Sequence, residues 1–549
     1  MKRFKQLSKL LLVTAFIFAG CEGQGDSLIE DRLENNPLPG EPNYSAGDAD
    51  FSNYIAIGNS LTAGFMDGAL YTNGQIHSFP AILSDQLELV GGGDFLQPNV
   101  NSVNGFNVSL SNPQQGLILG RTELDVSIPG PVPTIGEFPI PAFNGDRAAV
   151  NNLGVPGIRV ADLFSSDLQG NNALGLYYSR FATDPGTSTI IQDAVSKNPT
   201  FFSLWIGNND VLGYALSGGI DENMITGQVA FQNDLQNAIG ALVQTGANGV
   251  VLNIPPLVTL PFFRAISYDR IELDQTTADQ INAGLAPVNQ AMLGLTQPPI
   301  NHDPDDIQRR LMEYSAGSNP ILVIDEELSD LGPEFDILLA AGQINAQQRE
   351  ALVPYEQSRP LTAGELVLLT AGSVLGSEAD GDNSVADTPI GVVVPLGFNV
   401  IDESLNGDRY YLTMQEQANI VMARATFNAV ISGVVDGTNQ QAGAQVVHLV
   451  DVNPFMADIL GLSSSQAQQL ALTAAGQAAA DGTVGKRIRG FDLQPDFSPT
   501  GIFSTDAVHP NPRGHAIVAN EIIKKLNEVY DANIPEVNIL NYPSVIIAQ

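Results

Sequence analysis

A serine follows the first short apolar segment of the chain. Residues 53–58 (NYIAIG) are apolar enough for a buried strand, and Asn59 and Ser60 follow in a turn of small residues. A serine at the carboxyl end of a parallel strand lies where open α/β sheets bind ligands. Such a serine can act as a nucleophile if a neighbouring base takes its proton. An ordinary helix cap is the alternative, and the G-x-S-x-G elbow is absent because Thr62 replaces the second glycine.

A carboxylate and an imidazole lie three residues apart near the end of the chain. Asp506 and His509 belong to the segment DAVHP, which a loop can fold so that the two side chains meet. A carboxylate bonded to one ring nitrogen holds a histidine in the tautomer that accepts a proton at the other. A capping Asp beside a surface histidine is the alternative. The remaining histidines lack a carboxylate in such a loop; they are His77, His302, His448 and His515.

Two further segments carry groups that suit an oxyanion. Asn209 lies in GNND directly after the apolar segment 201–206, and its amide can donate to a developing negative charge. Gly154 lies in NLGVPG after the apolar segment 148–153, where a glycine lets a substrate oxygen approach a backbone N–H. Polar or Gly/Pro turns are the alternatives for both segments.

Short apolar segments alternate with amphipathic ones along the chain. This alternation predicts an α/β fold with a parallel sheet. We expect one domain over residues 51–535, with insertions at about 90–147, 257–410 and 452–500 and a tail at 536–549. Segments of that length are typical of lids, binding loops or inserted subdomains, and the block 257–410 is long enough for a small domain.

The four chemical segments come in the order Ser, Gly, Asn, Asp-x-x-His. This order resembles the GDSL lipase/SGNH hydrolase family, over residues 51–90, 148–256 and 405–530. The resemblance implies a three-layer α/β/α, flavodoxin-like fold with a five-stranded parallel sheet. One departure is Asn59, where the name motif of the family has Asp. That position is not part of the family's triad, so we expect altered activity rather than lost chemistry.

The resemblance also implies site residues. Ser60, Asp506 and His509 correspond to the catalytic triad. The N–H groups of Ser60 and Gly154 and the side chain of Asn209 correspond to the oxyanion hole.

The implied function is a serine esterase or lipase that hydrolyses carboxylic acyl esters. The substrate is then a lipid or an acylated glycan, and a carbohydrate O-acetyl esterase is the alternative within the same chemistry. A surface lipoprotein that binds glycan or protein without catalysis is the alternative of another class. The triad needs no cofactor and no metal. An acidic segment at 378–387 has oxygen ligands of the kind that suit Ca²⁺, although a solvated loop is the simpler interpretation.

The first residues are typical of an export signal. Residues 1–20 combine four basic residues with a short apolar run, and Cys21 follows Ala19 and Gly20. This pattern resembles the bacterial lipoprotein box, in which the cysteine is acylated. We therefore expect a lipid anchor at Cys21, an acidic tether over 21–50 and attachment to a membrane, by analogy the outer one. The formal net charge of −36 argues against nucleic acid as a partner.

Overall fold

The computed structural model describes residues 43–127, 130–168, 173–377, 389–398, 407–460, 486–488 and 491–548. The chain separates into two compact units, Met1–Ser45 and Ala46–Gln549. Residues 46–50, predicted as part of the tether, belong to the second unit: the Asp48 N–H donates to the Tyr530 carbonyl. The predicted signal peptide, Cys21 and the acidic segment 378–387 lie outside the described residues.

The strands form one central sheet and several two-stranded ladders. In chain order they are β1 Tyr54–Gly58, β2 Leu119–Asp125, β3 Gly130–Ile135, β4 Asn152–Gly154, β5 Phe201–Trp205, β6 Asn248–Leu252, β7 Ile271–Leu273, β8 Gly317–Asn319, β9 Leu322–Ile324, β10 Ser358–Pro360, β11 Leu366–Val367, β12 Tyr411–Leu412, β13 Val447–Val450, β14 Lys486–Ile488 and β15 Phe491–Leu493.

The central sheet has five parallel strands in the order β4-β1-β5-β6-β13. Every residue of β1 and β5 is buried, as expected of central strands covered on both faces. The predicted α/β class with a five-stranded parallel sheet is therefore confirmed. The second strand was predicted at 148–153, but residues 147–149 form a 3₁₀ turn capped by Asp146, so β4 begins only at Asn152.

Helices connect and cover these strands. In chain order they are α1 Ser60–Ala63, α2 Thr72–Ile76, α3 Phe79–Glu88, α4 Ala173–Leu176, α5 Ile190–Ser196, α6 Asn209–Leu216, α7 Gln228–Val243, α8 Gln275–Leu295, α9 Pro304–Arg310, α10 Gly332–Ala340, α11 Ala346–Ala351, α12 Met414–Ala442, α13 Asn453–Ile459 and α14 Pro512–Tyr530.

Two pairs of helices pack against each other: α7 with α12, and α3 with α14. The rings of Phe231 on α7 and Phe427 on α12 stack with centroids 4.2 Å apart. Helix α14 packs against α3, and the ring of Trp205 from β5 meets Phe79 of α3 edge to face. These contacts bury aromatic surface of about 150–250 Å² for each ring; the first joins α7 to α12, and the second joins α3 to β5.

Helix α12 is long and apolar enough to cross a membrane by length and composition alone, with a mean hydropathy of 1.4. It nevertheless buries the polar side chains of Gln417, Arg424 and Asn439 inside the protein. The Asn439 amide bonds the backbone at both Val446 and Val447, at the start of β13. These contacts attach α12 to the central sheet.

The block between β6 and α12 has apolar cores of its own. One cluster packs α8, α9 and α10 around Leu285, Met292 and Phe335. A second surrounds Val323 and Tyr411. Both are separate from the large cluster around the central sheet. The block is therefore internally packed, rather than a long loop laid over the surface.

Candidate active site

Two distant parts of the chain meet beside the end of β1. The Nε2 atom of His509 lies 2.8 Å from the Oγ atom of Ser60, although the residues are 449 positions apart. The Nδ1 atom of His509 lies 2.9 Å from Oδ2 of Asp506. With Asp506 ionised, Nδ1 must carry the proton that this bond shares, so Nε2 is left to accept the Ser60 proton. This is the arrangement that a serine nucleophile requires.

Asp506 accepts hydrogen bonds from backbone N–H groups in addition to the one from the His509 ring. Its Oδ1 accepts the N–H groups of Val508 and His509 at 2.9 Å each, and its Oδ2 accepts the N–H of Gly68 at 3.0 Å. Burial by itself would raise the pKa of Asp506, but the charge of His509 and these hydrogen bonds outweigh it and lower the pKa to about 2. Asp506 is therefore an anion at neutral pH.

A strained turn brings Asp506 and His509 together. Ala507 adopts a φ of 62°, in the left-handed region that non-glycine residues rarely occupy. Its N–H donates to the Ser504 carbonyl, and the Ser504 N–H donates to the His509 carbonyl. The turn closes on itself, which places both side chains on one side of the loop. The segment 504–509 is called the catalytic loop below.

A buried carboxylate supports the catalytic loop from behind. Asp67 is 3% exposed and accepts both the N–H and the Oγ1–H of Thr505. The Tyr71 hydroxyl donates to the other Asp67 oxygen, and the Asp67 N–H donates to Ser504 Oγ. Nothing in the sequence around Asp67 predicts this role, because its partners in the catalytic loop lie more than 430 residues away.

Ser60 is positioned by the short turn between β1 and α1. It is the first residue of α1, so its N–H has no intrahelical acceptor. The Asn59 side chain caps the helix by accepting the Leu61 N–H at 3.1 Å. Gly64 ends it with a φ of 78°, and its N–H donates to the Ser60 carbonyl. Asn59 thus serves as a helix cap, which either Asn or Asp can provide.

Asn209 opens α6 directly beyond the end of β5. Its Nδ2 donates to the Ile158 carbonyl at 2.8 Å, which fixes the amide plane and uses one of its two N–H donors. The next residue, Asp210, is fully buried, and burial raises its pKa to about 6 despite its hydrogen bonds with Thr226 and the Val160 N–H. Asp210 thereby ties the start of α6 to the loop after β4.

Gly154 does not take the place that its motif predicts. Its N–H donates to Asn152 Oδ1 at 2.9 Å, and the residue is buried against the backbone of α1. Gly157, three residues later, is exposed, has a φ of 84°, and lines the same cavity as Ser60. The Gly/Pro turn at Pro156 and Gly157 was the available signal for this second glycine.

Two cavities meet at Ser60. The wide one has a volume of about 1840 Å³ and also reaches Asp506, His509 and Asn209. The narrow one has a volume of about 60 Å³ and also touches Asn209 and His509. Ser60, Asn209 and His509 therefore line both cavities.

Among the other histidines, His302 has carboxylate partners that its local sequence did not predict. His302 lies between two carboxylates: Nε2 is 2.8 Å from Asp306 one helical turn away, and Nδ1 is 2.9 Å from Glu334 on α10. His515 is fully buried; its Nδ1 accepts the Phe79 N–H, and burial lowers its pKa to about 3, so it remains uncharged. Neither belongs to the wide or the narrow cavity.

Within the described residues, no group of three or more His, Cys, Asp or Glu side chains is arranged to hold a metal ion. No protein-family model, no curated protein and no solved structure matches the chain.

Proposed function

We propose that the chain is a serine esterase of the SGNH hydrolase type that hydrolyses carboxylic acyl esters. The observation that carries the proposal is the continuous Ser60–His509–Asp506 hydrogen-bond chain at a cavity wall. The sheet supports it: numbered along the chain, its strands run 2-1-3-4-5, the order of flavodoxin-like sheets, and Ser60 and Asn209 follow two adjacent strands.

The first half of the reaction acylates the serine. His509 Nε2 takes the Ser60 proton while Oγ bonds to the ester carbonyl carbon, and the carbonyl oxygen becomes an oxyanion. When this intermediate collapses, the carbon–alkoxide bond breaks and the alkoxide leaves with the proton from Nε2. Asp506 stabilises the imidazolium between these two transfers. Water then repeats the sequence on the acyl-enzyme and releases the acid and free Ser60.

The oxyanion needs donors that face it before it forms. The Ser60 N–H and the second N–H of Asn209 are two of them. Gly157 supplies the third in place of Gly154, since the Gly154 N–H is already bonded to Asn152. Exchange of one glycine for the other leaves the rest of the mechanism unchanged.

Labelling with diisopropyl fluorophosphate tests the proposal. An activated Ser60 is expected to bind the reagent covalently, and peptide mass spectrometry locates the adduct. Ser60→Ala is expected to lose the label and to lower ester turnover at least about 10⁴-fold. Ser196→Ala, which removes an exposed hydroxyl on α5, is expected to keep both. Absence of label from wild-type Ser60 would favour the non-catalytic binder.

Attachment to a membrane through Cys21, and with it the outer-membrane location, remains a proposal from the sequence. It would place the esterase outside the cytoplasm, near lipids or cell-surface glycans.

A further inference from the structure

The walls of the two cavities share five residues, and three of them belong to the reaction centre. The shared residues are Ser60, Asn209, Leu212, Val508 and His509. An ester bound at Ser60 has two arms, the acyl chain and the alcohol. The two cavities therefore offer each arm a separate site.

The narrow cavity is apolar and small. Beyond the reaction centre its wall is formed mainly by buried apolar side chains, including Trp205, Leu257, Leu260, Phe455, Met456 and Ile459. A cavity of about 150 Å³ holds benzene and a water molecule takes up about 30 Å³, so 60 Å³ admits about two or three non-hydrogen atoms. A longer acyl chain exceeds this volume.

The wide cavity differs in size and in chemistry. Its wall comes largely from the insertions and mixes apolar with polar side chains, among them Asn107, Ser109, Arg270, Gln280, Leu285 and Ser373. Its volume of 1840 Å³ far exceeds what a short alcohol needs. It suits a large alcohol that carries both hydroxyl and apolar groups.

The order of acylation and hydrolysis indicates which arm of the ester occupies which cavity. The alcohol leaves after acylation, and water must then occupy its place beside His509 Nε2. The acyl group stays on Ser60 throughout. The roomy, partly polar cavity suits the arm that departs and is replaced by water, whereas the apolar pocket suits the arm that stays.

Building on the proposed esterase function, we infer that the narrow cavity is the acyl pocket and that the substrates are esters of short acyl groups with large alcohols. The acyl group has about two to four carbons. Residues of α13, in the insertion 452–500, set this limit through Met456 and Ile459.

A series of p-nitrophenyl esters tests the inference, from acetate through butyrate and octanoate to palmitate. The expected kcat/KM is highest for acetate or butyrate and falls by about 100-fold or more at octanoate. If the acyl chain instead occupied the wide cavity, octanoate and palmitate would be cleaved as well as acetate, and the inference would be wrong.

Variants of residues that line the narrow cavity test which side chains limit the length of the acyl group. Met456→Ala is expected to raise the octanoate-to-acetate ratio of kcat/KM about tenfold, because it lengthens the pocket. Ile459→Ala provides a second variant with the same expectation. The same substitution at Met422, which is 68% exposed on α12, is expected to leave the ratio unchanged. An unchanged ratio in both pocket variants would contradict the assignment of the pocket.

The labelling experiment separates this inference from the function on which it rests. If Ser60 takes up diisopropyl fluorophosphate but acyl length has no effect, only the acyl-pocket inference fails. If Ser60 is not labelled and no ester is cleaved, the proposed function fails.

Discussion

At the residue scale, the side chain of Asn209 has two N–H donors. One donates to the Ile158 carbonyl, and in the proposed mechanism the other donates to the oxyanion. Asn209→Ala should therefore lower kcat by about 100-fold or more and change KM little, because the lost bond strengthens only in the transition state. Steady-state kinetics on p-nitrophenyl acetate measures both constants.

Asn223→Ala, at an exposed position after α6, is the matched control and should keep the wild-type kcat. If Asn209→Ala also kept the wild-type kcat, the only role of the Asn209 side chain would be its hydrogen bond to the Ile158 carbonyl.

The individual site residues differ in how far sequence could identify them. Asp506 and His509 are three positions apart, so a local loop pattern suffices to pair them. Asn209 follows an apolar strand, a pattern that an ordinary polar turn shares, so only the order of the four segments together indicates it. The choice between Gly154 and Gly157 depends on which glycine lines the cavity, and neighbouring residues of similar type do not encode that property. No local pattern predicts the role of Asp67, because its partners come from the far end of the chain.

At the scale of secondary-structure elements, β4 lies close against the backbone of α1 at Gly154. A Cβ atom on Gly154 would lie 2.3 Å from the Ala63 nitrogen and 2.6 Å from the Thr62 carbonyl carbon. These atoms cannot move without moving α1, and Ser60 with it. Gly154→Ala should therefore reduce the free energy of unfolding by about 1–3 kcal/mol or more and lower kcat as well. Urea unfolding and ester turnover measure the two effects.

Gly240→Ala tests the same substitution where space allows it. Gly240 lies inside α7 with no atom within 4 Å of an added Cβ, outside its own chain neighbours and helix backbone. Alanine there should raise the free energy of unfolding by about 0.5–1 kcal/mol. Equal free energies of unfolding for Gly154→Ala and the wild type would contradict the prediction, because they would show that α1 can move without a loss of stability.

At the scale of the whole molecule, the block between β6 and α12 has its own apolar cores. It also contains a histidine that contacts two carboxylates. His302 bridges α9 and α10 through Asp306 and Glu334. Burial by itself would lower the pKa of His302, but the two hydrogen-bonded carboxylates outweigh burial, and the net pKa is raised. The stabilisation is complete below the ordinary value of about 6.5 and is lost as pH rises through the higher folded value.

Hydrogen-exchange protection factors of α9 and α10 amides check this expectation. They should fall between pH 6 and pH 9 in the wild type, while those of β1 and β5 change less. His302→Gln should remove most of the difference, since glutamine does not titrate. Equal protection of α9 at both pH values in the wild type would contradict the role of His302.

The sequence by itself determined which segments form the central sheet, apart from the start of β4, and which side chains follow the ends of those strands. Burial and backbone sterics act over a few residues, so local patterns such as the apolar residues of β5 report them directly. Only the tertiary structure decided that Ser60 meets His509, that Gly157 rather than Gly154 faces the cavity, and how much room each side of Ser60 offers. Those properties depend on packing between segments far apart in the chain, which no local pattern records.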